Sequence, residues 1–386
     1  MNLFDYFDVP DVMPYNQGLP KSASIFGKIQ TLGISPKIQI EKEALVLFGV
    51  CESRNSNNPG SSLAPDAIRK YLYSLSGATI KHPLIDLGNL KLTGSPADTY
   101  MAVRDIVSDI QSKGATCLVL GGTQEITWPM YMAMVEQKEF VNISLIDHTI
   151  DIGNNDGDFS SKCYIERFIN EPQKKLFELN ILGYQGYLSN SLHVTALSNL
   201  NHDLARLGFV RGAMTEVEPS LRDSDIVSID IGSVKQSDSP GAISPSPNGL
   251  YSEEICQLAR YSGLSSRVKA FGVFELNTHA DPLGQSCHLA AQVAWHFIDA
   301  FNGRANYRHV SSNATTQKRF FVKSPIPNVE LLFIHNTIND TWWIEFPSTK
   351  RNNGNPMLAA CSYNDYKMAS SGDVPERWLR LWRKLS

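Results

Sequence analysis

Four predicted strands of this 386-residue chain each lead directly into a short polar segment whose residues could carry chemistry. The strands at 115–120, 143–146, 226–229 and 271–274 precede polar segments that contain Gln124, Asp147, Asp151, Asp230 and Glu275. Because open parallel sheets collect functional side chains at the carboxyl ends of their strands, we expect these segments to converge on one site. Carboxylate and amide oxygens suit Mg²⁺, Ca²⁺ or Mn²⁺ better than Zn²⁺.

The spacing of these segments resembles the motifs of the ureohydrolase superfamily, which comprises arginases, agmatinases and formimidoylglutamases. Its enzymes hydrolyse C–N bonds at a two-manganese site, and their motifs read GGDH, DAHxD, DxDxxDP followed by APG, and a late glutamate. The matching segments here are GGTQ at 121–124, DHTID at 147–151, DIGSVKQ at 230–236, SPG at 239–241 and Glu275. The resemblance covers roughly residues 43–300 and is nearest to formimidoylglutamase-like members. It implies an arginase-like α/β fold, a three-layer αβα sandwich with a mostly parallel central sheet.

Only half of the metal ligands implied by this resemblance are present. One metal would keep Asp147, Asp151 and Asp230, and Gln124 would offer an amide oxygen where the family has a histidine. These four residues predict a site for one divalent cation at most, with Mn²⁺, Mg²⁺ or Ca²⁺ as candidates.

The second metal of the family has no adequate ligands in this chain. The family's histidine and second aspartate correspond to Thr149 and Gly232, so a two-manganese cluster is not expected. Two carboxylates ~4 Å apart repel by roughly 4 kcal/mol at an effective dielectric near 20. Without a cation, a basic side chain such as Lys235 or nearby donor groups must therefore stabilise the cluster.

Catalytic residues are equally incomplete. His148 is one residue out of register with the family histidine, and in a strand-like segment it would point to the opposite face. Asp151, Glu275 and His148 are the candidate catalytic residues, and the family's proton-shuttle histidine has no obvious counterpart. Glu275 matches the glutamate that holds a guanidinium or amidine, so Glu275 and Asn277 are candidate substrate-binding residues. The alternative for Glu275 is a buried carboxylate satisfied by neighbouring backbone.

Two functions follow from this pattern. The first is a formimidoylglutamase-like protein with a degraded dimanganese centre that lacks ordinary C–N hydrolase activity and binds a ligand or a protein. The alternative is an active hydrolase of an amidine or guanidino C–N bond that uses one metal or a rearranged site. Both predict a small amidine or guanidino ligand, and the family resemblance implies a homo-oligomer.

Strand and helix signals alternate along the chain as they do in a doubly wound sheet. Further strands are predicted at 45–50 and 177–182, and helices at 64–72, 98–113, 127–138, 253–262 and 284–301. We divide the chain into an N-terminal arm (1–42), a ureohydrolase-like core (43–302) and a C-terminal extension (303–386).

The C-terminal extension is predicted to be a small α+β unit. Strands are indicated at 317–323, 329–335 and 341–346, followed by a terminal amphipathic helix. That helix carries an apolar stripe of Trp378, Leu381, Trp382 and Leu385 at helical spacing. Such a stripe packs on its own domain, lies on a membrane surface or fills a groove of a partner, so a protein partner of the extension is one hypothesis.

Composition narrows the functional classes further. The net charge of −4 and the lack of a basic block argue against nucleic acid as a partner. No window approaches the ~18 apolar residues of a transmembrane segment, and no signal peptide is evident. The six cysteines lack CxxC spacing, which is typical of free thiols in a reducing compartment. These features predict a cytoplasmic protein.

Overall fold

A computed structural model describes residues 3–15, 18–35, 37–153, 159–304, 316–327, 329–347 and 356–385. The strands are β1 Phe7–Asp8, β2 Gln30–Thr31, β3 Leu45–Val50, β4 Leu84–Leu90, β5 Thr116–Gly121, β6 Val141–Ile146, β7 Leu176–Tyr184, β8 Asp203–Arg206, β9 Ile226–Asp230, β10 Ala270–Phe274, β11 Gln317–Lys323, β12 Glu330–Asn336, β13 Thr341–Phe346 and β14 Met357–Cys361. The helices are α1 Ala64–Leu72, α2 Pro96–Ser112, α3 Thr127–Val135, α4 Ile165–Ile169, α5 Ser191–Asn199, α6 Leu207–Gly212, α7 Met214–Arg222, α8 Ser252–Leu264, α9 Gln285–Asn302, α10 Tyr363–Ser370 and α11 Glu376–Leu385.

The central sheet has the strand order β1-β4-β3-β5-β10-β9-β6-β7-β8, and β2 pairs with β4. Every neighbouring pair is parallel except β1 with β4. Separate apolar clusters cover its two faces, one formed with α1, α8 and α9 and the other with α2 and α3. The structure therefore confirms the predicted three-layer αβα sandwich with a mostly parallel sheet.

The four strands that carry the polar segments are consecutive in this sheet. They run in the order β5, β10, β9, β6, and all are parallel. Ile146 of β6 lies opposite Ile229 of β9, so Asp147 and Asp230 follow at the same level of the sheet. The backbone N–H of Glu275 donates to the carbonyl of Gly122 at 2.9 Å, which extends the alignment from β10 to β5. The predicted convergence of these segments is confirmed.

The remaining predicted elements are present with shifts of a few residues at their ends. The strands at 45–50, 317–323 and 341–346 have the predicted bounds. Two strands of the N-terminal arm, β1 and β2, pair with β4 and so extend the edge of the central sheet. The prediction missed β4, which contains Asp86 and Gly88 and is buried at every residue except Asn89. All six cysteines are free thiols.

The C-terminal extension forms a four-stranded antiparallel sheet, β11-β12-β13-β14, with helices α10 and α11. Trp342 and Trp343 enter different apolar clusters on opposite faces of this sheet. The apolar stripe of α11 is directed inward, since Trp378 and Leu381 are buried against Phe346 and Phe177. The helix therefore packs on its own chain, which is one of the three arrangements that its apolar stripe allows.

Ion pairs between buried and half-buried side chains attach α11 to the core. Arg380 donates to Glu178 Oε1 at 2.6 Å and to Asp203 Oδ2 at 3.2 Å. Lys384 Nζ and the backbone N–H of Leu179 both lie 3.1 Å from His202 Nδ1, which therefore acts as an acceptor on a neutral ring. Burial, together with the charges of Lys384 and Arg380, lowers the pKa of His202 to about 3. Within the described residues, no helix is long and apolar enough to cross a membrane.

The neutral His202 predicts a loss of stability in mild acid. Because the folded pKa is depressed, the unfolded chain binds the proton between pH 6.5 and about 3, so stability falls as the pH drops below 6.5. From pH 7.5 to pH 5 this group costs about 2 kcal/mol of the free energy of unfolding. Urea denaturation of the wild type and His202→Gln at both pH values measures it. An equal pH dependence in the two proteins would contradict the assignment.

Candidate metal and ligand site

Two aspartates and a histidine form the centre of the site. Asp147, His148 and Asp230 each present one potential ligand atom, and these atoms lie within 4.8 Å of one another. All three residues are buried at the carboxyl ends of β6 and β9. The parallel register of these two strands, rather than sequence proximity, brings Asp147 next to Asp230. The cluster contains the ligand types that a divalent cation accepts.

The position of His148 differs from the prediction. Its Nδ1 lies 3.2 Å from Asp147 Oδ1, and its ring is directed into the site instead of toward the opposite face. The alternation of a strand does not apply here, because β6 ends at Ile146 and the chain then turns. A Cβ built on Gly232 would lie 2.8 Å from His148 Cε1, so the imidazole fills the space that a side chain at Gly232 would occupy.

The electrostatics of His148 favour its protonated form. Burial by itself disfavours the charge, but the contact with Asp147 and the charge of Asp230 outweigh it and raise the pKa of His148 to about 9. At neutral pH, the histidine therefore supplies one positive charge to the cluster.

Thr149 links the two aspartates of the 147–151 segment. Its hydroxyl lies 3.3 Å from Asp147 Oδ1 and 3.0 Å from Asp151 Oδ1, and its backbone N–H donates to Asp147 Oδ1 at 2.9 Å. The second oxygens, Asp147 Oδ2 and Asp151 Oδ2, have no hydrogen-bond partner among the described residues. Each aspartate thus keeps one buried oxygen available for a cation.

The pKa values of the acidic side chains are shifted in opposite directions. Burial would raise the pKa of Asp147, but His148 and the charge of Lys162 lower it below its ordinary value. Burial raises the pKa of Asp151 and of Asp230, and the negative charge of Asp147 raises both further. One carboxylate of the cluster is thus held ionised, while its two neighbours are shifted toward protonation.

The basic side chain near the cluster is Lys162, whereas the sequence suggested Lys235. Lys162 Nζ lies 3.5 Å from Asp151 Oδ1. Lys235 Nζ is instead 3.4 Å from Asp238 Oδ1 and lies 3.7 Å from the centre of the Tyr251 ring. No spacing in the sequence indicates Lys162, because it belongs to a loop between β6 and α4.

Glu275 is held in a fixed position. Its Oε1 accepts from the backbone N–H of Gln124 at 2.9 Å, and its Oε2 accepts from Asn58 Nδ2 at 3.0 Å. Its φ of 62° lies in the left-handed region, which costs a residue with a Cβ roughly 1 kcal/mol. The same residue lines a cavity of about 500 Å³ together with Arg54 and Lys162. The hydrogen bonds hold this carboxylate at the cavity wall despite its strained backbone, and such a carboxylate is suited to bind a cationic group.

Gln124 and Asn277 make contacts of other kinds. Gln124 Nε2 donates to Ser228 Oγ at 3.3 Å, and its Oε1 is buried with no hydrogen-bond partner among the described residues. Asn277 Oδ1 accepts from the backbone N–H of His279 at 3.0 Å within its own turn, so this oxygen stabilises local structure. Ligand roles for both residues stay predictions.

An open cleft of about 730 Å³ lies beside the cluster. His148, Asp151 and Lys162 line it from one side, and Tyr187 and His193 line it from another. Reasoning from the sequence did not assign Lys162, His193 or Asn58 to the site. Of these, Asn58 alone had a local signal, since it precedes the Pro59-Gly60 segment that the family resemblance includes.

Residues 43–299 match the arginase family. A formimidoylglutamase from Salmonella paratyphi C is 24% identical over 306 residues, which cover 75% of this chain and 93% of that protein. The solved formiminoglutamase of Trypanosoma cruzi with Mn²⁺ superposes with a TM-score of 0.62 at 21% identity, over 67% of this chain and 94% of that one. The formimidoylglutamase of Bacillus subtilis gives 0.61 at 20% identity, over 68% and 88%.

These solved structures establish the fold alone, because their identities to this chain are low. The family match extends over more than half of the sequence and includes all four strands that form the site. It confirms the resemblance inferred from the motifs, including the formimidoylglutamase-like character of the core. The chain belongs to the arginase family.

Proposed function

We propose that this protein is a formimidoylglutamase-like member of the arginase family with a degraded dimetal centre, which binds a ligand without ordinary C–N hydrolysis. The packing of His148 against Gly232 carries the proposal, because the family's second aspartate would need that space. The Thr149 hydroxyl adds support, since it already bridges Asp147 and Asp151.

Two metal ions do not fit this set of side chains. Gly232 offers no ligand, and the Thr149 hydroxyl is a weak neutral one. One divalent cation fits better, with Asp147, Asp151 and Asp230 as its ligands. The unpaired oxygens Asp147 Oδ2 and Asp151 Oδ2 favour this alternative, in which the protein is a one-metal hydrolase. A bound cation would there polarise the substrate and lower the pKa of a water molecule.

The position of Glu275 supports a small amidine or guanidino ligand. Glu275 is held by Asn58 and Gln124 at the wall of a cavity, where a carboxylate can pair with a planar cation. Homo-oligomerisation and a protein partner of the C-terminal extension stay predictions from the sequence. The inward packing of Trp378 and Leu381 leaves less apolar surface on α11 for such a partner.

An activity assay separates the two candidate functions. With excess Mn²⁺, we expect turnover of formimidoylglutamate, agmatine and arginine far below the ordinary ~10 s⁻¹. A formimidoylglutamase assayed in parallel confirms that the substrates and metal are competent. Turnover near that ordinary value would contradict the binding function and establish the hydrolase.

Ligand binding by Glu275 has its own test. Titration calorimetry with agmatine should give saturable binding to the wild type and a Kd raised by about tenfold or more in Glu275→Gln. The reason is that the amide removes the negative charge while keeping the side chain's size. Equal thermal stability of the two proteins serves as the folding control. Unchanged agmatine affinity in the variant would exclude Glu275 as the anchor.

A double-mutant cycle tests the contact between His148 and Gly232. Gly232→Ala should lower the free energy of unfolding by about 1–3 kcal/mol, because its Cβ would overlap the imidazole. In a His148→Ala background, about 1 kcal/mol or more of that loss should disappear. Urea denaturation measures all four proteins, and Gly186→Ala is the matched control, since nothing lies within 4 Å of its added Cβ. Additive effects of the two substitutions would contradict the packing.

A further inference from the structure

Lys162 occupies a position between the carboxylate cluster and solvent. Its Nζ lies 3.5 Å from Asp151 Oδ1, while 56% of its side chain remains exposed. It lines both the cleft of about 730 Å³ and the neighbouring cavity of about 500 Å³. The ammonium group therefore reaches the buried acids from the open side of the site.

Lys162 contacts the acids through Asp151. The Thr149 hydroxyl lies 3.0 Å from Asp151 Oδ1 and 3.3 Å from Asp147 Oδ1, so the acid that Lys162 contacts is linked to the centre of the cluster. His148 and Asp151 line the same cleft as Lys162. The ammonium group is thus positioned beside the acids of one connected cluster.

We propose that Lys162 is the resident cation of the Asp147, Asp151 and Asp230 cluster, in place of a divalent metal. The inference rests on the proposed degraded centre and adds what has replaced the metal. A divalent ion at this cluster would be repelled by the Lys162 ammonium, which lies 3.5 Å from Asp151 Oδ1.

Removal of Lys162 should expose a cation site. Asp147 Oδ2 and Asp151 Oδ2 are buried and have no hydrogen-bond partner among the described residues, so both could bind a metal once the positive charge that repels it is removed. His148 remains beside Asp147 in such a variant. The new site is therefore expected to hold one ion, not two.

Titration calorimetry with Mn²⁺ alone tests this proposal. Lys162→Met keeps the length of the side chain and removes its charge, so we expect its affinity for Mn²⁺ to exceed that of the wild type by about tenfold or more. Lys162→Arg retains the charge and should bind as weakly as the wild type. Lys235→Met is the matched control, because this lysine pairs with Asp238 outside the cluster.

Other results of the Mn²⁺ titration would overturn the proposal. The proposal is overturned if the wild type binds Mn²⁺ as tightly as Lys162→Met, or if Lys235→Met gains as much affinity. If Lys162→Met fails to fold, Lys162→Gln replaces it, and thermal unfolding confirms the native state. Tight Mn²⁺ binding by the wild type without turnover would refute the role of Lys162 and leave the binding function intact. Turnover by wild-type protein without bound metal would refute the binding function alone.

Discussion

The burial of several acidic side chains at adjacent strand ends is the constraint on which the rest of this site depends. Parallel pairing of β6 with β9 sets Asp147 beside Asp230, and neither residue can avoid the other's charge. Carboxylates in such proximity need positive charge or protons. His148 and Lys162 supply basic groups beside these acids, and the Thr149 hydroxyl supplies a hydrogen-bond donor. Their contacts explain how these buried acids remain compatible with a folded core.

The side chains at positions 148 and 232 are physically linked. An imidazole can enter the site because residue 232 is glycine, and the imidazole in turn excludes a larger side chain there. A charged histidine beside Asp147 also opposes a second cation. The two positions therefore act as one unit, so an aspartate introduced at position 232 alone would conflict sterically with the imidazole of His148.

The C-terminal extension depends on the same principle of paired buried charges. Arg380 connects α11 to Glu178 and Asp203 of the core, while Lys384 donates to the carbonyl of Phe177. Removal of one partner from a buried pair costs about 3–5 kcal/mol, because the remaining charge is left without compensation. The extension is thus an integral part of the structure, although it lies beyond the residues that match the family.

The sequence alone determined the α/β class, the four polar strand ends and the presence of Thr149 and Gly232 at two motif positions. These features follow from local hydrophobic pattern and motif spacing, which act over a few residues. Tertiary structure decided which cation faces the acids: Lys162, not Lys235. It also decided the direction of His148, because the end of β6 at Ile146 releases the chain from strand alternation. Such outcomes depend on how distant loops pack, and no local pattern records that packing.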